Sequence, residues 1–223
     1  MNNAGQFLQT LHISDSSFPT GAFAYSDGLE CAVDSGALKS ADDLLEWLRY
    51  YVHRVFACSD GPALRLAMEI SDPAALVTLD SELTALKPSS AVRASSAAQG
   101  RQFLRTVIGI HPSHQALQQA AETQLVNLPV IYGLACRALG HDSETSLLAY
   151  CYTRLAGTTS AAMRLMTIGQ QQAHAALNRS LLEVPPVVER ITRSADPKPA
   201  AFTPTLDIHQ MNHSYVYSRL FRS

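Results

Sequence analysis

Lysine is nearly missing from this 223-residue chain: only Lys39, Lys87 and Lys198 occur. Charged residues make up 16% of the sequence, the formal net charge is −2, and no block of basic residues appears. A phosphate-backbone binder needs such a block, so nucleic acid is excluded as a partner class. With so few lysines, a phosphate-cradling G-x-x-x-x-G-K-[ST] loop has no place to hide, and neither that motif nor G-x-G-x-x-G is present. No apolar run approaches the roughly 20 residues that span a bilayer, so no membrane partner is expected. The first residues carry no basic segment followed by an apolar stretch, so no secretory leader is read. The four cysteines, Cys31, Cys58, Cys136 and Cys151, form no C-x-x-C pair. They lie in apolar, helix-like surroundings where a free cysteine behaves as a small buried hydrophobe. Together these absences predict a cytoplasmic protein.

Strand-like alternation, fixed-period repeats and low-complexity segments are also lacking. What remains is helical patterning, and 47% hydrophobic residues can fill a substantial core. Ser40 reads as a cap, with Asp42 and Asp43 in the first turn and Leu44, Leu45, Leu48, Tyr51, Val52, Val55 and Phe56 on one helical stripe. Asp60-Gly61-Pro62 reads as a restart, Asp72-Pro73 as the opening of a helix to Leu86, and Asp142 or Ser143 as the cap of a long segment. An Ala/Ser-rich helix spans 90–109, and its Gly100 and Gly109 suggest close packing. Residues 22–35 read as one helical run after a loop. The expected fold is all-α: a single domain of about nine or ten helices over 1–193, then a linker and tail over 194–223 that orders on a partner. Residues 194–203 hold two prolines and no apolar stripe before Phe202, which is linker composition.

Residues 11–30, LHISDSSFPTGAFAYSDGLE, are the most informative stretch. Asp15 and the serines around it favour a turn, Pro19 extends Phe18, and Gly21 allows backbone angles other residues resist. Aromatics (Phe18, Phe23, Tyr25) interleave with these turn formers, which a plain connector seldom needs. Among the eight histidines, His209 and His213 have a spacing metals use, but two ligands do not close a site. G-x-S-x-G is absent, and a Ser–His–Asp triad needs no adjacency, so the sequence carries no support for one. No catalytic, cofactor-binding or metal-ligating residue is assigned, and the chain is read as not an enzyme.

Residues 11–30 resemble the amino-terminal signature of the urease accessory protein F family. Leu11, Ser14, Asp15, Ser16, Phe18, Pro19, Gly21, Phe23, Ser26, Gly28, Leu29 and Glu30 match it. Similar blocks recur at AVRASSAAQGRQFL (91–104), LPVIYGLACRALG (128–140), AAMRLMTIGQQQAH (161–174) and LDIHQMNHSYVYSRLFRS (206–223). The chain departs from the family pattern at Tyr25, where histidine is common, and at Asn127 and Leu128, where histidines usually precede the 128–140 block. Ser214 stands for the usual Glu and Val216 for Leu. The resemblance implies an all-helical homodimeric scaffold for nickel insertion. Its partners would be accessory protein D (H in some organisms), the nickel-binding GTPase G, and apo-urease. An alternative is a regulator of GTP hydrolysis by that GTPase, with Arg219 or Arg222 reaching the γ-phosphate. The candidate partner-binding residues are Asp15, Ser16, Phe18, Pro19, Phe23, Tyr25, Glu30, Arg164, Gln170, His213, Tyr217, Arg219, Leu220, Phe221 and Arg222. For Arg164 and Gln170, satisfying buried carbonyls is an equal reading.

Overall fold

Local capping chemistry sets the helix starts. Ser40 and Asp43 form a reciprocal capping box at the head of α3 (Ala41–Tyr50). The Asp72 carboxylate accepts from Ala74 and Ala75 N–H to open α5 (Pro73–Ala85), and Asp142 accepts from Thr145 N–H to open α9 (Ser143–Leu165). The computed structural model describes residues 3–222, and among them regular structure is helical throughout. The remaining helices are α1 (Asn3–Ser14), α2 (Leu29–Asp34), α4 (Gly61–Glu69), α6 (Ser90–Ile110), α7 (Gln115–Glu122), α8 (Leu128–Ala138), α10 (Gln170–Leu181), α11 (Val184–Arg193) and α12 (Pro204–Asn212). The all-α single domain expected from the sequence is what the structure shows. None of its helices is long and apolar enough to cross a membrane, among the described residues.

Helix α8 is the axis of the core. Residues 128–136 are buried on every side, against α4 and α6. A helix apolar all round belongs inside a bundle. The approach of α4 is closest at Gly133, where an added Cβ would sit 2.4 Å from the Leu64 carbonyl oxygen and 3.0 Å from Ala67 Cβ. Gly133→Ala should therefore cost about 1–3 kcal/mol by overpacking. Gly157→Ala, in open space on α9, should be neutral or stabilising by about 0.4–1 kcal/mol. Urea midpoints of the two variants check this, and equal midpoints would refute the packing argument.

Three expectations change. The chain does not restart at Asp60-Gly61-Pro62: residues 41–69 run on as one rod, with π-helical turns over Tyr51–Asp60. A π-turn bonds i to i+5, which accommodates the N–H that Pro62 lacks. Residues 22–35 are not one helix. Asp27 (φ 51°) and Gly28 (φ 89°) take left-handed conformations that separate a 3₁₀ turn at Ala22–Ala24 from α2. Gly100 packs closely against Val126 and Leu128, but Gly109 faces open space.

Candidate partner-docking site

The turn after α1 is held by its own side chains. Asp15 accepts from Ser17 N–H at 2.7 Å and from the Ser17 hydroxyl, and these bonds hold its carboxyl below the usual range. Ser14 Oγ meets Tyr132 Oη at 2.6 Å, and Thr153 Oγ1 donates to the Ser14 carbonyl, tying the turn to α8 and α9. Phe18 is buried beneath the turn, edge-on to His12 and tilted on Phe103. It supports the surface from below.

The second half of the signature forms a seat. The Asp27 carboxylate is paired with the Arg154 guanidinium, whose Nη1 donates to Gln99 Oε1 at 3.2 Å. At Gly28 an added Cβ would lie 2.9 Å from Gln210 Cγ and 3.2 Å from Gln210 N, so α12 rests where only glycine fits. Gln210 Nε2 donates to the Asp27 carbonyl at 3.4 Å. One residue earlier on α12, His209 packs its ring on Trp47 of α3.

Glu30 closes the seat. Its buried carboxylate accepts from His213 Nε2 (2.7 Å), Leu220 N–H (2.6 Å) and Phe221 N–H (3.3 Å). Arg222 N–H donates to the Ala24 carbonyl at 2.8 Å. Arg164, from the end of α9, is sandwiched between two rings. Its Cζ lies 3.7 Å from the Phe23 centroid and 4.3 Å from that of Phe221, and Nη2 donates to the Phe23 carbonyl. Stacked guanidinium and ring faces attract through the ring quadrupole. Burial pushes the Arg164 guanidinium down from its ordinary value.

Seven candidates from the sequence thus converge: Phe23, Glu30, Arg164, His213, Leu220, Phe221 and Arg222. Around the buried pieces, Phe23, Leu220, Tyr217 and Tyr215 remain exposed (72%, 61%, 102% and 84%), with Arg219 beside them. Asp15, Ser16, Pro19 and Gln170 are exposed, and Tyr25 is half-buried. Among the described residues, no hydrogen bond, ion pair or ring contact joins these five to the tail. Sequence reasoning gave no role to Asp27, Gly28, Arg154 and Gln210, although Gly28 is among the signature matches. The first two lie inside the signature block, and their turn chemistry was the available signal.

Beneath the seat lie two adjoining cavities of about 80 and 60 Å³, both lined by Asp27, Gln99, Tyr150 and Arg154. Tyr51 and Tyr150 each donate to the Asp60 carboxylate, at 3.1 and 3.0 Å. Burial pushes both phenols well up. Burial likewise pushes the Cys136 thiol up to about 12 and raises that of Cys151, so both are protonated and inert at neutral pH. Among the described residues, no group of three or more His, Cys, Asp or Glu side chains could hold a metal ion.

Comparison with known proteins agrees with the signature blocks. Residues 38–181 match the family UreF. A urease accessory protein UreF of Cupriavidus necator is 30% identical over 230 aligned positions, covering 100% of both chains. One from Methylobacterium radiotolerans is 34% identical over 214 positions, 92% of each chain. The urease accessory protein F of Oryza sativa is 32% identical over 93% of this chain and 81% of its own. With that coverage, and the signature folded into one seat for the tail, this chain belongs to the UreF family of urease accessory proteins.

Proposed function

We propose that the chain is a non-catalytic cytoplasmic scaffold. As a homodimer, it would bridge accessory protein D/H and the nickel-binding GTPase G for nickel insertion into apo-urease. The observation that carries this reading is the platform of the tail on the signature. Exposed Phe23, Tyr217 and Leu220 stand beside Arg219 and Arg222 over a base fixed by Glu30 and Arg164. Exposed aromatics next to arginine are the composition of interface hot spots. Helix α1 leaves Phe7, Leu8 and Leu11 exposed as a second apolar face, which an assembly would cover. In this reading residues 1–193 are the scaffold, and the tail exchanges its seat on the body for contacts with a partner. Residues 14–30 support that exchange.

The test is size-exclusion co-elution of the full chain, a chain lacking 204–223, and a Phe23→Ala/Leu220→Ala variant, each with both partners. The truncated chain should remain a folded helical dimer and lose the assembly. The surface variant should weaken assembly by at least tenfold without unfolding. If the truncated chain still forms the full assembly, the platform is not the docking site. The side chains of Arg219 and Arg222 have no ion-pair partner among the described residues, which favours a second reading in which one of them stimulates GTP hydrolysis by the partner. Arg219→Ala would then slow the partner's turnover while leaving assembly intact.

A further inference from the structure

A separate cavity of about 480 Å³ opens where the tail meets the start of α6. Ligand pockets for small molecules begin at about 300 Å³, so its size is in range. The body contributes Pro88 to Ala91 and Arg93, and the tail contributes Gln210, Met211, His213, Ser214, Arg219 and Arg222. Three arginines therefore line one space, and among the described residues no carboxylate lines it. Arg93 is braced by donating Nη1 to the carbonyls of Lys87 and Pro88, at 2.5 and 2.9 Å. Arg219 and Arg222 have no side-chain hydrogen bond or ion pair among the described residues. Glu30, the buried acid bonded to the cavity-lining His213, is also taken by the backbone of Leu220 and Phe221.

Like charges gathered without a counter-charge repel one another, and an anion between them removes that cost. The first turn of α6 adds to the same field. Ser89 Oγ accepts the Val92 N–H, and the N–H groups of Ser90 and Ala91 come before the first intrahelical bond, Arg93 N–H to the Ser89 carbonyl. A tetrahedral phosphate offers three strong acceptor oxygens to donors arriving from several directions, whereas a planar carboxylate satisfies one guanidinium fork.

We propose that this cavity binds a phosphate group, free or carried on a small ester, and that its occupancy holds the tail on the body. The coupling follows from the lining: a ligand held jointly by Arg93 and by Arg219 and Arg222 binds the seated tail and not the released one, so it shifts the balance toward seating. This site shares Arg219 and Arg222 with the platform described above but does not rest on the bridging role, and its test uses the full-length chain without partners.

Inorganic phosphate is titrated calorimetrically into the chain in chloride buffer of matched ionic strength, and amide exchange of residues 204–222 is followed. Arg219→Ala and Arg222→Ala should each weaken binding by about tenfold. Arg101→Ala, an exposed arginine of α6 outside the cavity, should leave it unchanged. Phosphate should slow exchange in the tail of the unaltered chain. Glycerol 3-phosphate is the second arm: binding as tight as phosphate or tighter assigns the site to an ester, and weaker binding assigns it to the free anion. The proposal is overturned if chloride or acetate at equal ionic strength reproduces the effect, or if the Arg219→Ala/Arg222→Ala double variant binds phosphate as before.

Discussion

Replacing Glu30 with alanine is expected to free residues 204–222 from the body while α1 to α11 stay folded. The Glu30 carboxylate takes a hydrogen bond from each of three buried or half-buried donors, on His213, Leu220 and Phe221. Each such group left unpaired costs about 1–3 kcal/mol, and the three share one acceptor, so the losses are not additive. Overlapping on one acceptor, the three losses come to a net of about 3–5 kcal/mol. That is about a hundredfold or more in the tail's opening equilibrium, since 1.4 kcal/mol is a factor of ten. The loss should be local, because the tail's apolar anchors are few: Leu206, Val216 and Phe221 are buried, while Tyr215, Tyr217 and Leu220 are not. Amide exchange of 204–222 should rise to the level of an open segment, with circular dichroism and the urea midpoint of the body nearly unchanged. Glu30→Gln keeps an acceptor for the Leu220 and Phe221 N–H groups and should fall between. Unaltered exchange in Glu30→Ala would show that the tail is held by something else.

The helices that could be read from the sequence are those whose causes are local. Ser40, Asp72 and Asp142 cap their helices because a side-chain oxygen reaches an N–H two or three residues on, and that relation is written in adjacent letters. The rod through Asp60-Gly61-Pro62 was not legible, because the same letters suit a break or a π-turn, and the choice is made by packing on α8 and α11. The seat for the tail is non-local in the same way. Glu30 and His213 are 183 positions apart, and nothing near either residue names the other. Seven of the candidate residues nevertheless converge, because resemblance at both ends of the chain marked both halves of one contact. Linker composition at 194–203 suggested a loose tail. In the structure Ala200 N–H donates to the Cys58 carbonyl and Thr203 is buried. Prolines remove donors from a segment without preventing it from lying along a surface.

Arg154→Leu is expected to destabilise the whole domain, not the tail alone. Its guanidinium is mostly buried, paired with Asp27 and bonded to Gln99; burial opposes its charge, but the Asp27 and Asp60 carboxylates outweigh that and hold its pKa well above the ordinary value. Leucine would fill much of the space and leave the Asp27 carboxylate without its cation. Removing one member of such a pair costs about 3–5 kcal/mol. For a domain of this size that corresponds to a fall in melting temperature of about 6–20 °C. The mechanism makes a sharper demand on the double variant. Asp27→Asn removes the stranded charge, and asparagine tolerates the left-handed φ of 51° that this position requires. Asp27→Asn/Arg154→Leu should therefore be more stable than Arg154→Leu alone, by at least about 1 kcal/mol, with the coupling read from urea denaturation of all four proteins. Because Asp27 and Gly28 form the floor under Gln210, tail protection should fall and recover in parallel. Strict additivity of the two changes would mean that Arg154 acts through packing alone, and the link from the core through Asp27 to the tail would have to be given up.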